Sequence, residues 1–192
     1  MGNQGCSEWI AQDTAARLFQ TAALLLGNES EAVTLVEETI AGVEVDPCAD
    51  AASGQVLVQN HLVQAAIHKL SQREPSSFAV AAGNQNESAS CIEGDDISES
   101  GISAAQLSFL LEGEGRQQLR NWLEHLPSAQ RTVFVARAML GQDNAATAAS
   151  MRAGGGASAA GWSPEKVSDV FRQALCSLAT SLIHSGATAQ AV

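Results

Sequence analysis

Residues 121–183 constrain the fold more than any other stretch: NWLEHLPSAQRTVFVARAMLGQDNAATAASMRAGGGASAAGWSPEKVSDVFRQALCSLATSLI. Its turn signals divide it into helical patterns. Leu126-Pro127 ends one pattern and opens the next, because proline suits a first helical turn and not a helix interior. Gly141 closes the second pattern, since glycine takes the left-handed conformation that a helix end often needs. Asp143 offers an N-cap for a helix over 144–151, and Ser163-Pro164 opens the last helix. The pattern over 128–140 is apolar on two sides. Val133, Val135, Ala136, Met139 and Leu140 share one side, and Phe134 lies on the other beside Gln130 and Arg131. A helix of that kind is central, with partners around it. In the last helix Val167, Val170, Phe171, Ala174, Leu178 and Leu182 form a helical stripe. Phe134 and Phe171 are therefore expected in the core.

Composition points the same way. Aromatic residues make up 4% of a chain that is 45% hydrophobic, so the core is built from Ala, Val and Leu, which favours helices. Residues 8–26 carry Ile10, Leu18, Ala22, Leu25 and Leu26 at helical spacing and end at Gly27. Asn28 caps a helix over 29–43, and Glu31 stands three residues on, as in a capping box. That helix is expected to turn Ala32, Val33, Leu35, Val36, Thr39, Ile40 and Val43 inward and Glu31, Glu37 and Glu38 outward. A third helix over 55–74 runs through Leu57, Leu62, Ala65, Ala66 and Leu70 and stops at Pro75. Residues 103–112 give a short helix capped by Ser103, with Leu107, Leu110 and Leu111 on its apolar side.

Two of these stretches resemble the sigma factors of bacterial RNA polymerase, most closely the extracytoplasmic-function type. In LRNWLEHLPSAQRTVFVARAMLG, residues Leu126, Pro127, Gln130, Arg131, Val133, Phe134 and Gly141 match the start of that family's promoter-recognising C-terminal domain. Val167, Ala174 and Leu178 match the apolar frame of its recognition helix. In LLGNESEAVTLVEETIAGV, residues Gly27, Glu31, Ala32, Leu35, Val36, Glu38 and Thr39 match the N-terminal helix that docks on the polymerase. The resemblance implies an all-α chain of two small helical domains. It implies a polymerase-docking domain over 1–74, an acidic flexible linker over 75–102, and a helix-turn-helix domain over 103–192. It implies core RNA polymerase as partner through Glu31, Leu35, Glu37 and Glu38, promoter DNA through Arg131, Lys166, Arg172 and Gln173, and a regulator such as an anti-sigma factor.

The chain departs from the family where DNA would be read. A helix-turn-helix holds its second helix in the major groove with a short, rigid turn. Here RAGGGASAAGW lies between the two helices, and three consecutive glycines read as an enlarged, loose turn, with Trp162 pinning its far end. The family's basic positions on the last helix are occupied by Ser168, Val170 and Gln173, and Asp169 adds a negative charge. Arg131 and Arg137 are either phosphate contacts or partners of acids such as Glu124. The net charge is −11. Residues 75–115 hold seven acids and no base, while 116–192 hold seven bases and four acids, so only the C-terminal third suits a phosphate backbone. No aromatic lies between Phe19 and Phe78 to stack on melted bases. Two readings follow: a transcription initiation protein that binds core polymerase and promoter DNA, or a degenerate sigma-like module that binds protein and no promoter.

Other functions find no support in the sequence. It has no phosphate-binding glycine loop followed by lysine, no GxSxG and no HExxH, so an enzyme is not expected, and no cofactor or metal is implied. His61 and His68 alone do not make a metal site. Cys6, Cys48, Cys91 and Cys176 are far apart and form no CxxC pair, which reads as isolated reduced thiols in a cytoplasmic protein. No apolar run reaches the length of a membrane span, and the N-terminus lacks a secretory signal pattern.

Overall fold

The computed structural model describes residues 3–43, 51–79, 91–97, 107, 109, 110, 113 and 115–189. All regular structure among them is helical. Helices α1 (Asn3–Leu26), α2 (Glu29–Gly42), α3 (Ala51–Arg73) and α4 (Pro75–Phe78) come from the N-terminal half. Helices α5 (Arg116–Glu124), α6 (Ser128–Phe134), α7 (Asn144–Gly155) and α8 (Pro164–Ala189) come from the C-terminal half.

The local signals at the helix ends act as the sequence indicates. Gly27 and Gly141 have φ of +68° and +64°, the left-handed region that a side chain resists. The Asn28 side chain accepts the Glu31 N–H at 3.1 Å, and Asp143 accepts the Ala146 N–H at 2.7 Å. Ser163 caps α8 by accepting the Lys166 N–H at 3.3 Å. The capping box expected at α2 is only half realised, because the Glu31 carboxylate instead pairs with Arg73 of α3. A guanidinium brought in by the fold outcompetes a neutral backbone donor for a carboxylate.

One hydrophobic core runs through both halves. Leu18, Ala22 and Leu25 of α1 meet Ala32, Leu35 and Val36 of α2 and Leu62, Ala66, Ile67 and Leu70 of α3. The expected inward face of α2 is narrower than predicted: Val33 and Ile40 are 45% and 50% exposed. Leu57 is also exposed, and Val63 and Ile67 take its place in the α3 core. The Ile10 side chain and most of the expected 103–112 helix lie outside the described residues, although Leu110 is buried. The central position of α6 is as the sequence indicates: Val133, Phe134 and Val135 are fully buried. Phe134 meets Trp122 of α5 edge-on at 4.8 Å and Phe171 of α8 at 6.1 Å between ring centres. Beyond Phe134 the chain passes into one π-helical turn, Val135–Met139, where the Leu140 N–H donates to the Val135 carbonyl at 3.1 Å.

The triple glycine is a packing device, which corrects the expectation of a loose turn. Helix α7 continues through Gly155 and passes into a 3-10 turn, Gly156–Ala159. Gly154 and Gly155 are buried, and α7 lies against α3 along its length. A Cβ on Gly154 would stand 2.5 Å from the Gln64 carbonyl oxygen and 2.7 Å from the Ile67 Cβ, so only glycine lets the two backbones approach this closely. Gly156, at φ +56°, then turns the chain. Trp162 fixes the far end as expected: it is buried, and its indole N–H donates to the Phe78 carbonyl at 2.9 Å. Arg152 of α7 donates to the Trp162 carbonyl. The angle between α7 and α8 is thus set by packing on α3 and α4.

Candidate interaction faces

Two charged faces carry the residues that the sequence singles out. The first is the outside of α2. Leu35 is 1% exposed and Val36 is buried, packed on the α1–α3 side, so Leu35 holds α2 in place and presents nothing to a partner. This corrects its expected role in docking. The three glutamates do lie at the surface. Glu38 pairs with Lys69 of α3 at 3.0 Å, Glu31 pairs with Arg73, and Glu37 is exposed. Glu29, at the start of α2, pairs with Arg120 of α5 at 2.9 Å. Val33, Glu37 and Ile40, spaced four and three residues apart, form an exposed stripe of two apolar side chains around one carboxylate.

The second face is on α8, where the expected DNA contacts do not come together. Arg131 of α6 is buried, 7% exposed, and its guanidinium reaches Ser128 Oγ at 3.4 Å. Burial pulls its pKa down, with Glu74 and Glu124 acting the other way. The physical reason for this departure is that α6 has partners on every side, so its polar side chains are enclosed as well as its apolar ones. Lys166, Arg172 and Gln173 lie on α8 and are half-buried. Arg172 pairs with Asp169 one turn earlier and donates through Nη1 to the Glu93 carbonyl at 2.6 Å. Arg137, at the π turn, stacks its guanidinium 5.0 Å from the Phe171 ring centre. It also donates to the Gln142 carbonyl at 3.1 Å and to Asp95 Oδ2 at 3.4 Å.

The group that covers this face comes from the stretch read as a flexible linker. Residues 91–97 lie across α8 as a strap. Ile92 is buried and Cys91 is disulfide-bonded to Cys176 of α8, 85 residues away in sequence, with 5.7 Å between the Cα atoms. The expectation of isolated reduced thiols is overturned for this pair, because sequence distance says nothing about which cysteines the fold brings together. Cys6 and Cys48 lie outside the described side chains. Asp95 accepts from Asn144 Nδ2 and pairs with Arg137. The Asn144 hydrogen bond, with Arg137 and Ser168, holds its carboxyl below the usual aspartate range against the opposing effect of burial. Asp95, Asp96, Ile97, Arg137 and Phe171 line an open recess beside the strap. Sequence reasoning missed Cys91, Cys176, Asp95 and Asn144 as members of this site. The available signal was the pair of isoleucines, Ile92 and Ile97, within an otherwise polar segment.

Among the described residues no group of three or more His, Cys, Asp or Glu side chains is arranged to hold a metal ion. No described helix is long and apolar enough to cross a membrane. Compared with protein-family models, curated proteins and solved structures, the chain matches none.

Proposed function

We propose that this chain is a sigma-like protein-interaction module that docks on core RNA polymerase through the outer face of α2 and engages promoter DNA weakly. One observation carries the reading: two of the three cations expected to meet DNA, Arg131 and Arg172, are occupied within the protein, while the α2 stripe is open. Arg131 is buried, and Arg172 is held by Asp169 and the strap. Val33, Glu37 and Ile40 face solvent. Phosphate affinity scales with the cations that can displace counterions, and few remain free to do so. The promoter-directed reading draws on Lys166 and Gln173, which stay half-exposed on α8. The test is co-purification of the full chain with core polymerase, followed by run-off transcription from the reconstituted complex. Stable association without promoter-directed transcripts is the expected result. Promoter-directed transcripts would establish the initiation reading, and failure to associate would overturn both.

A further inference from the structure

The strap crosses α8 in a regular register. Cys91 meets Cys176, the Glu93 carbonyl meets Arg172, and Asp95 lies against Ser168. The partners advance by two residues on the strap and retreat by four on the helix. The strap therefore runs antiparallel to α8 along the single stripe Ser168–Arg172–Cys176. Asp95 extends the contact to Arg137 and Asn144.

The non-covalent attachment includes a partly exposed ion pair, polar contacts and the packing of Ile92 and Ile97 on the core. Ion pairs near the surface exchange readily with water. The attachment that does not exchange is the disulfide. Its Cys91 end is exposed, which is where a reductant must arrive.

We propose that the Cys91–Cys176 disulfide is a reversible lock: closed, it holds the acidic strap on α8 and masks Arg137 and Arg172; opened by a dithiol, it releases the strap and uncovers both guanidinium groups. The chemistry is thiol–disulfide exchange. A thiolate of the dithiol attacks the Cys91 sulfur and forms a mixed disulfide. Cys176 leaves as a thiolate and takes a proton from water. The Cys91 N–H, which donates to the Cys176 sulfur at 3.0 Å, favours that departing charge. The second thiol of the reductant then attacks the mixed disulfide, frees Cys91 as a thiol and closes the reductant's own disulfide. Two electrons and two protons pass from the dithiol to the protein.

The experiment uses the full chain in two forms, oxidised, and reduced with dithiothreitol, alkylated with iodoacetamide and desalted. Each is measured for helical circular dichroism, for amide exchange over 91–97, and for phenylglyoxal modification of individual arginines by mass spectrometry. The reduced form is expected to keep its helical signal while the strap amides exchange about tenfold faster or more. Arg172 and Arg137 should become modified several-fold faster, and buried Arg131 should not. The Cys91→Ser/Cys176→Ser variant, which carries no alkyl group to wedge the strap off, should behave as the reduced form does. Unchanged strap protection and arginine reactivity would overturn the lock, and so would loss of the helical signal on reduction, which would make the disulfide a structural bond. A double variant that keeps the strap in place would overturn it as well.

Discussion

The faces of α2 and α8 are both mixtures of acids and bases, and they differ in what a partner must displace. On α2 the carboxylates of Glu31 and Glu38 are held by Arg73 and Lys69 across exposed ion pairs. Such pairs contribute about 0–1 kcal/mol each, so a cationic partner surface can replace them at little cost. On α8 Arg172 faces a strap of the same chain, tied down by a covalent bond. The C-terminal third carries an excess of basic residues, yet three of them, Arg131, Arg137 and Arg172, are engaged within the chain. Charge counted along a sequence therefore overstates the charge a partner meets, and the comparison turns on competitors already in place.

Removing the platform under α8 tests whether the two faces share one support. Phe134 is fully buried, between Trp122 and Phe171, and Phe171 in turn carries the Arg137 guanidinium. Phe134→Ala is expected to cost about 3–5 kcal/mol in denaturant unfolding, the lost transfer energy plus the cavity left behind. Both halves should lose stability together, because one core serves them. Separate unfolding of α2 and α8, seen as two transitions by different probes, would mean the faces sit on independent units.

The seam that joins the halves is the next target. Gly154 has the Gln64 carbonyl within 2.5 Å of where a Cβ would stand, and that oxygen belongs to a helix and cannot move aside. Gly154→Val is expected to destabilise by about 1–3 kcal/mol through overpacking. Gly42→Ala serves as a control, since its Cβ would meet nothing within 4 Å. If both variants unfold like the wild type, α3 and α7 are not in the close contact described.

The helices and their ends were legible in the sequence because they rest on local chemistry. Gly27, Asn28, Gly141 and Asp143 act through their own backbone angles or through neighbours three residues away. What was not legible depends on partners distant in sequence. A run of glycines breaks helices when alone and permits close packing when another helix is near, and only Gln64 and Ile67 decide between the two for Gly154. Glu31 left its capping box for Arg73, 42 residues on. The segment 91–97 has the composition of a linker, and it is held by Cys176, Arg172, Asn144 and Arg137, none of which its own sequence announces. Of the expected site residues, Glu31, Glu37 and Glu38 lie at the surface, as their place on the polar side of an amphipathic helix implies. Leu35 is buried, as its place on the apolar side of the same helix implies, whereas Arg131 is buried by contacts that periodicity alone does not assign.

A smaller effect tests the strap through pH. The Asp95 carboxyl is held below its ordinary value of 3.8 by Asn144 and Arg137. A carboxyl whose pKa is depressed in the folded state adds stability above its unfolded value, and that stability is lost as pH falls through the folded value. Glu93, Asp96, Asp169 and Arg172 also surround the strap; the contribution of Asp95 should be lost below about pH 4 and not above it. In the Cys91→Ser/Cys176→Ser background, where no covalent bond hides the change, strap exchange is expected to quicken over that range. Asp95→Asn should flatten the dependence. In that background, a profile that is the same with and without Asp95→Asn would show that this carboxylate does not hold the strap.

The smallest effect on stability belongs to α2, and it is the most informative about function. Glu37→Lys/Glu38→Lys breaks the Glu38–Lys69 pair and sets a second ammonium group beside that of Lys69. Against this, a cation near the C-terminal end of a helix interacts favourably with the helix dipole. These terms are each a few tenths of a kcal/mol and oppose one another, so the stability change should stay within about 1 kcal/mol. Association with core polymerase should nevertheless be lost, because the reversed face would meet a cationic partner with repulsion. Such repulsion appears chiefly in the association rate and in the dependence on salt. The matched change on the other face, Lys166→Glu, should leave co-purification unchanged. Loss of association in both variants would point to a non-specific charge effect. Loss only with Lys166→Glu would move the docking face from α2 to α8 and reverse the comparison.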